Sequence, residues 1–319
     1  MSKSRACVAI EPDLVAAATG EAVPRIGARV DTHVARCEPC RDDYARYRAV
    51  NAVVDELRAA PPPDSEAARV RVLARLSDLR ARLVRYGVYA SPLGPMLIAA
   101  TEHGIALVEY LGRRGAAGSW LLRQAELEAD ADGADLARYH RELLAYLAGR
   151  RTTLDWPLDL RFASSEFHRA VLQATAGVPY GAVSSYAGIA HDIGKPAAVR
   201  AVAQALRHNP VPIVVPCHRI IGSGGSLVGY AGNRLGLKQR LLGVEGIRTE
   251  HRRRDVRIAR HRMYAWDRSA REYCLPTCGD ISTRPIGPIT LLASVREAQV
   301  LGLRPCEDCR PDLHPLQAA

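Results

Sequence analysis

The placement of eight cysteines constrains this 319-residue chain more than any other feature. They fall into three sets: Cys7, Cys37 and Cys40 near the start, Cys217 alone, and Cys274, Cys278, Cys306 and Cys309 near the end. The opening MSKSRACVAIEPD lacks the apolar core of a signal peptide, and no apolar run approaches the roughly 18 residues of a membrane span. The expected setting is therefore cytoplasmic, without a membrane partner, where disulfides are rare. The sulfurs need another use. A C-x3-C pair followed by a C-x2-C pair is a strong four-thiolate zinc signal, here Cys274, Cys278, Cys306 and Cys309. His33, Cys37 and Cys40 form an H-x3-C-x2-C cluster. One helical turn lets His33 and Cys37 share a face, and Cys7 closes a tetrahedral Cys3His zinc site. Two metal-centred modules thus bracket the chain, and Cys217 is left for chemistry.

Cys217 lies in Asn209–Glu245, NPVPIVVPCHRIIGSGGSLVGYAGNRLGLKQRLLGVE. A short apolar run, Val211 to Val215, delivers a cysteine followed directly by histidine, and a Gly/Ser loop comes next. A free thiol has a pKa of about 8.5 and is mostly protonated at neutral pH. An adjacent imidazole can take the proton and a carboxylate can orient the imidazole. His218 and Glu245 are the candidates, with Cys217 as an ionised nucleophile at the floor of a pocket.

This segment, with Pro216-Cys217-His218-Arg219-Ile220 at its centre, resembles the active-site stretch of the O6-alkylguanine-DNA alkyltransferases, the methylated-DNA–protein-cysteine methyltransferases. The likeness extends over roughly Tyr86 to Gly246. It implies a double-stranded DNA partner bearing O6-alkylguanine, a single-turnover transfer of the alkyl group to Cys217, and no organic cofactor. By the resemblance, His218 deprotonates Cys217 through a water and Glu245 orients His218. Asn209 orders the pocket, and Tyr230 lies against the leaving oxygen or base. Tyr186 crowds the phosphate of the extruded nucleotide, and Arg200 fills the gap it leaves. The base enters beneath Ser226 to Gly232. Small residues along the DNA-binding helix, Ala201, Ala203 and Ala205, allow close approach, although alanine replaces the family's glycine at 203. Two further departures bear on substrate range and rate: Ala231 replaces a small hydroxyl residue, and Asn233-Arg234 replaces a Gly-hydrophobic pair with one extra residue before Lys238.

The fold class expected is α/β multidomain. Residues 1–60 form a helical zinc module, with an amphipathic helix from Asp42 to Ala60 placing Tyr44, Tyr47, Val50, Val54 and Leu57 on one side. Pro61-Pro62-Pro63-Asp64 is a stiff break, and residues 61–85 are a linker and an Arg-rich helix from Ala67 to Val84. Residues 86–160 are a small α/β lobe with strands Val88–Ser91, Met96–Thr101 and Ile105–Leu111 and a helix Leu136–Leu147. Residues 161–248 carry the site. Helix Glu166–Ala176 turns Phe167, Val171 and Leu172 inward. Ser184 or Ser185 caps a helix Tyr186–His191, and Lys195-Pro196 opens a helix running to Arg207. Those two helices read as helix-turn-helix. Residues 249–319 are a basic linker, from Arg248 to Arg271, and a small α+β four-cysteine zinc domain with a helix Ser294–Leu301.

The outer modules carry resemblances of their own. The first is similar to zinc-binding anti-sigma-factor modules, which implies a sigma factor as a further candidate partner. The last, ending in Leu303-Arg304-Pro305-Cys306-x-x-Cys309-Arg-Pro-Asp312, is similar to the metal-binding domain of adaptive-response alkylation proteins. That likeness implies a methylphosphotriester DNA partner with Cys274 as second methyl acceptor. A net charge of +10 and a pI of about 9.4 favour a polyanionic partner. The alternative reading is a non-catalytic or regulatory sensor of DNA alkylation whose zinc modules control a partner.

Overall fold

The computed structural model describes residues 4–59, 65–112, 119–121, 128–131, 134–231, 234–252 and 255–316. It divides into two compact units, Met1–Ser77 and Asp78–Ala319.

The first unit is helical. Ser4 caps α1 (Arg5–Ala18), Pro24 opens α2 (Pro24–Val34), and α3 runs from Glu38 to Ala59. Their shared core holds Cys7, Ile10, Leu14, Val30 and Cys40, with Ile26, Tyr44 and Tyr47 packed against it. The Tyr47 hydroxyl donates to Glu11 Oε1 at 3.0 Å and ties α3 to α1. Two expectations are corrected. The helix expected from Asp42 begins at Glu38, immediately after Cys37, so that Cys40 lies in its first turn. Only its first half is packed: Val50 and Leu57 are 64% and 46% exposed. The Pro61–Asp64 break lies outside the described residues. Beyond it α4 spans Ser65–Arg82.

The second unit starts with a four-stranded sheet, ordered β3-β2-β1-β4, from β1 (Leu83–Tyr89), β2 (Met96–Thr101), β3 (Gly104–Tyr110) and β4 (Glu128–Asp130). The strand expected at Val88 starts at Leu83. Val84, Tyr86 and Val88 alternate with Arg85 and Gly87, a period-2 pattern that overrides helix continuation. β1, β2 and β3 are successive antiparallel neighbours, while β4, not anticipated, pairs parallel to β1. Helix α5 (Ala137–Leu147) buries Tyr139, Leu143 and Tyr146.

The chain then forms α6 (Glu166–Ala176), β5 (Ala182–Ser185), α7 (Tyr186–Asp192), α8 (Val199–Arg207), β6 (Ile220–Ile221) and α9 (Leu235–Val244). On α6, Val171 and Leu172 are fully buried, with His168 and Thr175, while Phe167 is only partly covered. Ser185 caps α7, its hydroxyl accepting from Gly188 N at 3.0 Å. Pro196–Ala198 forms a single 3-10 turn, so α8 proper begins three residues after Pro196.

The described residues of the basic stretch after 248 form regular strands. β7 (Thr249–Arg252) and β8 (Asp255–Ile258) pair antiparallel. β9 (Tyr264–Asp267), β10 (Glu272–Cys274), β11 (Ile289–Leu292), α10 (Val295–Val300) and β12 (Arg304–Pro305) follow. A six-stranded sheet runs β12-β10-β9-β11-β5-β6. Leu291 pairs with Val183 and Leu292 with Ala182, so β11 lies against β5. The core beneath mixes Val183, Ile221 and Leu242 with Ile258, Ala265, Ile289 and Leu291. Sheet and core therefore both cross residue 248. Gly188 marks a close approach of the two segments: a Cβ there would lie 2.5 Å from Ser184 Oγ and 2.8 Å from the Gly287 carbonyl.

Gly188→Ala is expected to destabilise this unit by about 1–3 kcal/mol through overpacking against a backbone that cannot yield cheaply. Urea unfolding checks this, and an unchanged midpoint would contradict the packing of residue 287 against α7.

Candidate active site

The run Val211–Val215 is a turn, not a strand. Val215 N donates to Val211 O at 2.9 Å, and Ile213 is forced to φ 77°, which is costly for a β-branched residue. Pro216 follows, and Cys217–Arg219 form a 3-10 turn. This compact reversal sets the thiol at the wall of a cleft of about 700 Å³. Asn209 holds it there. Its Nδ2 donates to Cys217 Sγ at 3.2 Å and to Val215 O at 2.9 Å, while its Oδ1 accepts from Val211 N at 3.0 Å. Burial pushes the Cys217 thiol up, against the Asn209 hydrogen bond and the Lys238 charge, which favour the thiolate. Burial thus opposes the ionisation expected from the Cys-His pair, and Asn209 and Lys238 act in its favour.

Behind the thiol lies a closed polar cluster. His218 Nε2 and Glu245 Oε1 are 2.5 Å apart, both fully buried. Arg219 Nε donates to Glu245 Oε2 at 2.9 Å, Gly181 N donates to the same oxygen at 3.1 Å, and Tyr146 donates to Oε1. Arg219 also donates to Val178 O at 2.6 Å. Burial alone would raise the Glu245 pKa, yet His218, Arg219 and Tyr146 hold it down to about 2. Burial lowers the His218 pKa in spite of Glu245, which keeps the imidazole neutral. His218 Nδ1 has no hydrogen-bond partner among the described residues. Glu245 ends α9 as its C-cap residue, and the turn at Val178–Gly181 brings the Gly181 amide to it.

The cleft lies between α8, through Val199, Arg200, Ala203 and Arg207, and the segment Val228–Ala231, with Tyr186 and Cys217 completing it. The Tyr186 hydroxyl donates to Val228 O at 3.0 Å. Tyr230 is buried, with its hydroxyl 2.8 Å from that of Tyr110 on β3. Of the residues expected at the site, Cys217, His218, Glu245, Asn209, Tyr186, Tyr230 and Arg200 converge here. Ala201 is exposed on α8 and does not line the cleft, whereas Ala203 does. Ser226 is set back from the cleft in a bridge with Arg257, and Gly232 and Asn233 lie outside the described residues.

Four participants escaped sequence reasoning: Tyr146, Arg219, Lys238 and Tyr110. Arg219 stands inside the Pro-Cys-His-Arg motif, so the motif itself was the available signal. Lys238 is fully buried, donating to Ile220 O at 2.5 Å and Val228 O at 3.2 Å, and burial lowers its pKa to about 8. A lysine inside a helix of mixed periodicity gives no local hint of this. Tyr110 lies 120 residues from Tyr230, and Tyr146 lies 99 residues from Glu245.

Among the described residues, two side-chain sets can hold a metal ion. The ligand atoms of Cys7, His33, Cys37 and Cys40 lie within 4.8 Å of one another, and so do those of Cys274, Cys278, Cys306 and Cys309. In the first, α2 ends at Val34, so His33 and Cys37 meet across the α2–α3 bend and do not share one helix face. His33 Nε2 is buried without a hydrogen-bond partner among the described residues, as suits a ligand nitrogen. In the second, burial and the neighbouring sulfurs push Cys274 far up and Cys278 up to about 12. Such crowded thiols ionise together only around a cation, and both donor sets fit zinc. Among the described residues no helix is long and apolar enough to cross a membrane.

Two family models match the chain. The ribonuclease-like domain of 6-O-methylguanine DNA methyltransferase matches residues 84–160, and the DNA-binding domain matches residues 166–247. The chain is 38% identical over 164 residues to a methylated-DNA–protein-cysteine methyltransferase of Methanosarcina acetivorans, covering 50% of this chain and 97% of that one. It is also 38% identical to the constitutive enzyme of that name from Bacillus subtilis, covering 51% of this chain and 95% of the relative. The crystal structure of Mycobacterium tuberculosis OGT in complex with DNA is 36% identical, covering 50% of this chain and 92% of that one, with a TM-score of 0.42.

Glu245 gives the site a defined acid response. Its carboxylate pKa is depressed on folding, so its stabilisation is complete above the unfolded value of about 4.3 and disappears as pH falls toward 2. The loss of stability between pH 5 and pH 2 should be shallower in Glu245→Gln than in the wild type, while at pH 7 the variant is the less stable by about 3 kcal/mol or more, since Arg219 is left buried without its countercharge. Denaturant titrations across that range give both numbers.

Proposed function

The chain belongs to the methylated-DNA–protein-cysteine methyltransferase family, and we propose that it repairs DNA by moving the alkyl group of O6-alkylguanine onto Cys217. The observation that carries this reading is the thiol of Cys217 on a cleft wall, held by Asn209 and backed by His218 and Glu245. A stacked duplex hides the alkyl carbon, so the nucleotide is extruded at a cost of a few kcal/mol. The helix pair α7–α8 acts as a helix-turn-helix. Arg200 holds the vacated stack and Tyr186 crowds the phosphate at the cleft mouth. The base lies against Tyr230 under the lip Val228–Ala231.

The buried thiol must lose its proton as it attacks. His218 is neutral and can accept that proton through a water, and Glu245 stabilises the imidazolium that results. The Lys238 charge favours the thiolate. Sulfur then forms a bond to the alkyl carbon as the carbon–O6 bond breaks, and guanine leaves with a proton. A thioether is a poor leaving group, so each chain reacts once. The step draws on no organic cofactor.

Zinc is assigned to both ligand sets. At Cys7, His33, Cys37 and Cys40 it holds α1, α2 and α3 together. At Cys274, Cys278, Cys306 and Cys309 it fixes β10 to the turn after β12. A zinc thiolate at Cys274 has the chemistry to accept a methyl group from a phosphotriester, and Cys274 is no more buried than Cys217, each at 7% exposure. Neither matched family model reaches residues 1–83, and no observation favours a sigma factor as partner.

Incubation with a duplex containing O6-methylguanine should add one methyl group to wild-type chain, at Cys217, by intact-mass and peptide mass spectrometry. Cys217→Ala should gain none. Binding without any gain of mass in the wild type would leave a non-catalytic sensor. Native mass spectrometry should find two zinc ions per chain. A methylphosphotriester duplex decides the role of Cys274: a methyl group found there makes it a second acceptor, and an unmodified Cys274 makes it a structural ligand.

A further inference from the structure

The metal-bearing C-terminal segment touches the first helix of the DNA-binding pair at two places. One is the close approach of Gly287 to Gly188. The other is a forked ion pair: both terminal nitrogens of Arg268 donate to Asp192 Oδ2 at the end of α7. An acidic side chain is misplaced at a helix C-terminus, where the backbone dipole is already negative. It would also repel the phosphates that an adjacent recognition helix must approach. Arg268 answers both problems from another part of the chain.

Arg268 is presented from a stiff support. It begins the turn between β9 and β10, where Asp267 Oδ1 accepts from Ser269 N at 3.0 Å and from Ser269 Oγ at 2.7 Å. Trp266 Nε1 donates to Ala270 O at 2.9 Å and closes the turn. Arg284 pairs with the remaining oxygen of Asp267. The strand after the turn, β10, ends in Cys274, one of the four clustered thiols. The side chains of Arg268 and Asp192 are 25% and 28% exposed, so the pair is partly shielded from solvent and ions.

We propose that Arg268 is a positioning residue for DNA binding: through Asp192 it clamps α7 to the C-terminal sheet and so sets the pose of α8 against the duplex. The inference rests on the family reading of α7–α8 as the DNA-binding pair. It gives the C-terminal segment, which lies beyond both matched family domains, a part in the repair reaction at the binding step.

The test uses full-length protein and a duplex with one central O6-methylguanine. Arg268→Ala should raise the duplex Kd about fivefold or more, the lower end of typical site-to-site coupling. Its transfer rate from duplex should fall relative to that from free O6-benzylguanine base. Amide exchange across residues 186–207 should quicken. Asp192→Ala separates the clamp from a direct contact: the clamp requires weaker binding, whereas an Arg268 that merely touched phosphate would bind tighter once its competitor was removed. The exchanged pair, Arg268→Asp with Asp192→Arg, should recover most of the affinity. Wild-type affinity in Arg268→Ala, tighter binding in Asp192→Ala, or equal loss of rate on duplex and free base would each overturn the proposal. If wild-type protein transfers no alkyl group from either substrate, the family reading fails, while the clamp is still judged by duplex Kd and exchange.

Discussion

The carboxylate of Glu245 is the point through which the unit 78–319 is tied together. It accepts from Tyr146 on α5, from the Gly181 amide before β5, and from His218 and Arg219 in the turn that carries the thiol. Four donors on two oxygens satisfy it in a dry interior, where an unpaired carboxylate would cost several kcal/mol. An imidazole held at Nε2 by Glu245 presents Nδ1 alone to anything beyond, and the proposed proton path runs through that atom. Structure and chemistry here share one atom set, so neither can vary independently of the other.

A second dependency runs outward from the site. The lip over the cleft is held from behind by Lys238 and Tyr186, which both donate to the carbonyl of Val228, and from the side by β8, whose Val256 carbonyl receives Leu227 N at 2.8 Å. β11 then joins β5, the strand that leads into α7. The segment beyond residue 248 is thus a structural partner of the matched domains. A chain containing only the matched domains would expose the apolar edge that Ile258, Ala265, Ile289 and Leu291 cover.

Much of the site was legible because its chemistry is written in adjacent residues. Pro216-Cys217-His218-Arg219 named the thiol and the proposed base, and the spacing of Cys274 to Cys309 and of His33 to Cys40, with Cys7, named two candidate ligand sets that the fold brings within 4.8 Å. Helices α5, α6 and α7 followed from apolar periodicity and a capping serine. What escaped had no local signature. Lys238 is hidden by its own helix, the basic run after 248 gave no hint of an antiparallel strand pair, and the half-bare α3 shows that an apolar stripe does not name what covers it.

By itself, then, the order of residues determined which atoms could react and which could bind a cation, since reactivity depends on residue type and metal ligation on short spacings. Only the tertiary structure decided that the Cys217 sulfur is buried against Asn209, that Glu245 gathers four donors, and that β11 lies on β5. Each of those turns on burial or on pairing between segments far apart in the chain, and the physical reason is the same: desolvation and strand pairing are properties of what surrounds a residue, which no short stretch of sequence contains.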